Sequence, residues 1–175
     1  RTPRRRVTAM TTRQSLITLL TEKLDAETLV FPPDEPEETP QPANPPDEPE
    51  ETPQPAKYEV TDYTSAPEIE KYCLLNHIDV LFTVARRVAQ TSRIIQQVPH
   101  TEKTDWEIGV WCIFKENSKK PAYRRLRDVA VAEVQRIFRS NPDYGTEKAS
   151  RDDDYTRAAC TVYNSTVTLV KKTYS

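Results

Sequence analysis

Apolar residues recur along this chain with two periods, and the switches between them outline the elements. In "TTRQSLITLLTEKLD", Leu16, Leu20 and Leu24 fall at i, i+4 and i+8 with Ile17 beside them, which predicts a helix with one buried stripe. Thr11 and Gln14 have the spacing of a capping box at its start. "TLVF" (28–31) is β-prone and is either a short strand or the exit from that helix. "KYEVTDY" alternates as a strand does, and "SAPEIEKYCLLNH" opens with Ser65 ahead of Pro67 and Glu68, which predicts a short helix over 67–75. "IDVLFTVARRV" fits both periods; its Ile, Val, Phe and Thr content favours a strand. "SRIIQQV" is β-prone as well.

The two strongest patterns come later. "WEIGVWCIF" puts Trp106, Ile108, Val110, Cys112 and Phe114 on one face and Trp111 with Ile113 on the other. Both faces are apolar, so this strand belongs in the middle of a sheet. "PAYRRLRDVAVAEVQRIF" carries Tyr123, Leu126, Ala130, Val134 and Ile137 as a core stripe, with Arg124, Arg127, Asp128, Gln135 and Arg139 expected to face outward. "RDDDYTRAACTVYNSTVTLVKKTY" reads as β structure, either one long bulged strand or a hairpin turning at Asn164–Ser165. The order predicts an α+β domain: a small, mostly antiparallel sheet with helices packed on one face.

One stretch follows neither period. Residues 32–43 and 45–56 are the same twelve-residue unit, "PPDEPEETPQPA", repeated around Asn44. Ten of these 25 residues are proline and eight are acidic, with no base. Proline fixes φ and removes backbone donors, and such a composition has nothing to bury. The segment is expected to be disordered or extended, polyproline-like, serving as a spacer. The organisation expected is a basic leader over 1–9, a helix and short strand over 10–31, the insert over 32–57, and the main domain over 58–175. The leader "RTPRRRVTA" precedes the only methionine, Met10, and is expected to be a tag or disordered tail.

The net charge of −2 conceals this division: the leader holds four arginines, the insert eight acids, and residues 57–175 hold 19 bases and 16 acids. Two glycines in 175 residues argue against Gly-rich phosphate loops. Cys73, Cys112 and Cys160 lack metal spacing and are expected to be reduced and buried. No apolar run approaches the ~20 residues that span a bilayer, so no membrane partner is expected.

Catalysis needs convergent groups, and the pattern offers none. His77 and His100 lie outside any ligand cluster, and the serines lack a nucleophile-elbow context. "RDDD" at 151–154 is the densest carboxylate group, but consecutive side chains on extended backbone point in alternate directions, so a solvated turn or interface patch is expected rather than a metal site. No enzyme activity, cofactor or metal is expected. Arg124, Arg125, Arg127, Arg136 and Arg139 concentrate on one helix, yet Asp128 and Glu133 interrupt them, so nucleic-acid contact is at most incidental.

The order of a leading helix, a β region, "TDWEIGVWCIFKENSKKPAYRRLRDVAVAEVQRIF", an acidic turn and "RDDDYTRAACTVYNSTVTLVKKTYS" resembles the tail-terminator and tail-completion proteins of long-tailed phages and related archaeal viruses. The likeness spans residues 10–31 and about 78–175 and lies in element order and texture. The duplicated insert and the helix at 67–75 depart from it. The resemblance implies a virion structural protein, assembled in the host cytoplasm, that closes into a homo-oligomeric ring of about six subunits. The ring would sit at the head-proximal end of the tail, with tail-tube and neck or connector proteins as partners. Alternatives are a head–tail connector or other neck protein, or a non-catalytic adaptor whose Pro-rich insert or Arg-rich helix binds a protein or nucleic acid. The interface residues expected, from the exposure pattern alone, are Arg124, Arg127 and Arg139 on the helix, Asp152, Asp153 and Asp154 in the loop, and an exposed strand edge over 166–172 with Thr166, Lys171 and Lys172.

Overall fold

The computed structural model describes residues 12–32, 54–89, 103–115, 122–157 and 160–172. Three helices, α1 (Arg13–Lys23), α2 (Ala66–Asn76) and α3 (Ala122–Arg139), accompany seven strands. These are β1 (Tyr58–Thr61), β2 (Val80–Ala89), β3 (Lys103–Lys115), β4 (Tyr144–Thr146), β5 (Arg151–Asp152), β6 (Tyr155–Arg157) and β7 (Cys160–Lys171). They form one mixed sheet in the order β1-β2-β3-β7-β4, with β5 and β6 also paired to β7. Only β1 and β2 run parallel. This is the α+β fold expected.

β3 and β7 are central because both their faces are covered or nearly so. Val80, Phe82, Val84, Trp106, Ile108, Val110, Cys112, Phe114, Val167 and Leu169 meet α1 and α3 on the front face. Leu81, Ile113, Cys160 and Val162 meet Ile69 and Cys73 of α2 on the reverse face. The helices therefore do not all lie on one face. The reason is topological: α2 joins two parallel neighbours, so it must cross a face of the sheet, and α1 with α3 occupy the front.

α1 starts one residue later than the sequence spacing suggested. Thr12 accepts from the Ser15 amide at 3.1 Å and Ser15 Oγ accepts from the Thr12 amide at 2.9 Å, closing a reciprocal box. The adjacent threonines offer the same three-residue spacing, and the short Ser15 hydroxyl serves both roles. Leu16, Leu20 and Leu24 are buried as expected.

The terminal segment is neither one bulged strand nor a hairpin at Asn164–Ser165. Both those residues are buried in mid-strand, and the chain reverses between Arg157 and Cys160. Residues 144–157 return along β7 in three short pieces, so β7 is interior and not an edge.

"TLVF" forms no ladder of its own; it makes a single antiparallel bridge, Val30 to Pro55. The Phe31 amide donates to Gln54 O at 2.9 Å and the Ala56 amide to Leu29 O at 3.0 Å. Leu29 and Ala56 are buried, so the last residues of the second repeat belong to the body. The rest of the insert, the leader and "SRIIQQV" lie outside the described residues. A loop with a pinned base tolerates length, because doubling a loop costs only about 0.6 kcal/mol of closure entropy. That accounts physically for a duplication at this point.

Cys73, Cys112 and Cys160 are free and buried. Burial, then the Glu59 charge, pushes the Cys73 thiol from 9.0 up to about 12. The hydrogen bond from Tyr72 to Glu59, at 2.6 Å, with burial, pushes the Tyr72 phenol from 10.0 up to about 12. Both folded values are raised, so the stabilisation is whole below the unfolded values and is lost as pH climbs to about 12. Urea unfolding at a series of pH values should show stability falling between about pH 9 and about 12, with a shallower fall in Cys73→Ala. An unchanged slope in that variant would remove Cys73 as a cause.

A buried arginine and the acidic loop as candidate functional site

α3 lies across β3 and β7, and position 127 falls one turn after Tyr123 and beside Leu126, at the margin of the buried stripe. Its side chain turns inward rather than outward: Arg127 is 2% exposed. The guanidinium lies 5.9 Å from the centroid of the Tyr163 ring on β7. Nη1 donates to Asp154, and Nη2 reaches Asp128 at 3.3 Å and Asp152 at 3.4 Å. Nε is buried with no hydrogen-bond partner among the described residues.

The sheet aims the acids. β5 pairs with β7 so that Asp152 lies opposite Ser165, whose hydroxyl donates to it. The Asp153 amide donates to Asn164 O at 2.8 Å, and the Asp153 side chain is exposed. Asp152 and Asp154 thus face Arg127 while Asp153 faces water, the alternation that extended backbone imposes. The contacts of Arg127 with Asp152 and Asp154 fasten the 152–154 loop to α3. Among the described residues, no group of three His, Cys, Asp or Glu side chains converges on a possible metal position.

Three of the residues singled out for an interface, Arg127, Asp152 and Asp154, therefore meet inside the protomer. Arg127 is thereby withdrawn from the surface, whereas Asp152, Asp153 and Asp154 remain exposed. Arg124 and Arg139 are exposed, in the first and last turns of α3. Arg136 is bound by Glu133, with Nε 3.1 Å from both carboxylate oxygens, and donates to Lys23 O of α1 at 3.2 Å. This breaks up the basic stripe that the spacing of arginines suggested.

The expected edge over 166–172 is also corrected. Thr166 is paired on both sides, with Gly109 and Arg151, and Lys171 with Tyr144. The Lys172 amide donates to Asp143 O at 2.8 Å, and its ammonium donates to the carbonyls of Arg139 at 3.1 Å and Asn141. A cation at that place completes the carboxyl end of α3. The hairpin-like return of 144–157 is what covers the edge.

Two features were not singled out from sequence. Glu133 is 2% exposed, on the core side of α3. Its place seven residues after Leu126 and three after Ala130 was the available signal. The second is the outer edge of β1. Among the described residues β1 pairs only with β2. Lys57 O accepts from Val80 N, so residues 57, 59 and 61 turn their backbone groups to β2, and Tyr58 and Val60 turn theirs outward. Beside this edge lies a shallow groove of about 310 Å³ lined by Gln14, Ile17, Val60, Thr61, Asp62 and Tyr63. Thr61 Oγ1 is buried there without a partner among the described residues. No sequence signal marks a four-residue strand as an edge.

No described helix is long and apolar enough to cross a membrane. Searches of protein-family models, curated proteins and solved structures found no match to this chain.

Proposed function

We propose that this chain is a structural virion protein of a tailed virus, acting by ordered self-association as a ring at the head-proximal end of the tail. The observation that carries the proposal is the β3–α3–β7 unit. A strand containing Trp106 leads to a helix that crosses the sheet, and the helix returns to a final strand paired with the first. This is the element order on which the resemblance to tail-terminator and tail-completion proteins rests.

The two sheet edges fit such a role because they are unlike. One is the short strand β1; the other is the return of 144–157, cut into three pieces and bearing Arg151, Asp152, Asp153 and Asp154. Interrupted, charged edges resist strand addition. A surface on one side of a subunit that meets a different surface on the next generates a closed ring when the rotation closes.

The test is mass by light scattering after gel filtration, over a concentration series, for the full chain and for a deletion of 33–53 that keeps the Val30–Pro55 base. A discrete species near about six subunits in both proteins is expected. A strict monomer at every concentration counts against the ring. Loss of association in the deletion alone would make the repeat a strap between subunits.

A further inference from the structure

We propose that the outer edge of β1, with the groove beside it, receives residues 92–98 of a second copy of this chain as an added strand. The inference rests on the ring proposal and names the contact that would build it.

The edge is ready for pairing. Tyr58 and Val60 direct outward amide and carbonyl groups that pair with no described strand, continuing the line in which Leu29 and Phe31 already bond to residues 54–56. Beyond that bridge no described residue pairs with the edge, which has Ile17 and Val60 as apolar lining and Asp62 and Thr61 as polar lining. Strand addition uses main-chain bonds for affinity and alternate side chains for specificity.

Two segments of this chain outside the structure compete for the place. The Pro/Glu repeat is unsuited: prolines supply no donors to a ladder, and its eight acids would meet Asp62 and Glu59. Residues 92–98, "SRIIQQV", are suited. They are β-prone, carry Arg93 as their one charge, and stop at Pro99. As a strand they put Arg93 and Ile95 on one side, so that with Ile95 beside Ile17 and Val60 an antiparallel register sets Arg93 against Asp62, the acid of the groove.

Distance decides whether the donor is the same chain or another. Val60 pairs with Phe82, and Ala89 stands seven residues further along β2. The place beside Val60 is therefore about 23 Å back along the strands and two strand spacings across, about 25 Å in all. Ile95 is six residues from Ala89 and reaches at most about 22 Å with the chain fully extended. The segment also has to return to Lys103, the partner of Ala89. Its own groove is out of reach, and a neighbour's is not.

The experiment is a charge swap in the full chain: Asp62→Arg, Arg93→Asp and the two combined, each followed by light scattering across concentration. Asp62 is exposed, so the swap leaves the core alone, and thermal unfolding checks this. Each single change is expected to raise the concentration at half-association about tenfold or more, and the combination to restore it to within about threefold. Association by both single variants at the parent's concentration overturns the proposal, as does a combination no better than the worse single. In either case the associating parent leaves the ring standing. A parent that never associates removes the ring and this contact together.

Discussion

Replacing Asp152 and Asp154 together by asparagine is expected to lower stability by about 3 kcal/mol or more, while Arg127→Met costs clearly less. The asymmetry follows from burial. The Arg127 side chain is 3% exposed, whereas those of Asp152, Asp154 and Asp128 are 51%, 31% and 65% exposed. With both carboxylates neutralised, the guanidinium stays in a site where, among the described residues, only Asp128 opposes its charge and Nε already lacks a partner. A buried charge left short of partners is the costly half of a broken pair. With the arginine removed instead, the acids turn toward water, Ser165 still donates to Asp152, and the methionine stem keeps much of the packing against Tyr163. Urea denaturation with linear extrapolation gives both numbers. If Arg127→Met proves the more damaging, the cluster is held by net attraction, not by the need of one buried cation for partners.

That contrast also explains why the cluster was hidden in the sequence. Periodicity ranks positions by polarity, and arginine at the margin of an apolar stripe reads as exposed. Its burial depends on acids 25 and 27 residues onward, brought beside α3 only because β5 pairs with β7. Non-local pairing likewise gives Thr166 a partner on each side and Lys171 one in β4. By contrast, β3 and the apolar stripe of α3 were legible from the pattern. Their burial follows from long, regular alternation, and Trp106, Ile108, Val110, Leu126, Ala130 and Val134 sit where the pattern puts them. β2 was ambiguous between periods, and β-branched content decided it correctly. The face that α2 covers was not legible, because nothing local to residues 66–76 records that β1 and β2 run parallel. The open edge of β1 is invisible for a related reason: an edge is defined by what does not pair with it.

Gly109→Ala reverses a propensity rule, which makes it the sharper test of the reverse face. In a strand interior alanine is ordinarily better than glycine by roughly 0.5–1 kcal/mol. Here a Cβ would collide with Thr83 Oγ1 and lie 2.7 Å from Trp111 Nε1. Thr83 is the direct cross-strand partner of Gly109, and the indole lies over the glycine to donate to that hydroxyl at 3.1 Å. Both atoms must move and their hydrogen bond is lost. Overpacking at about 1–3 kcal/mol and a lost bond at about 1 outweigh the entropy gain, so a net loss of about 2–3 kcal/mol is expected. Thr83→Ala removes the closest atom, so the double variant should cost less than the sum of the singles, a coupling that urea unfolding resolves. Trp111 is partly exposed on the reverse face, so its emission should also shift in Gly109→Ala under native conditions. A stabilising or silent Gly109→Ala would mean the indole does not lie across this glycine. The reverse face would then lack the flat patch that one of the chain's two glycines otherwise provides.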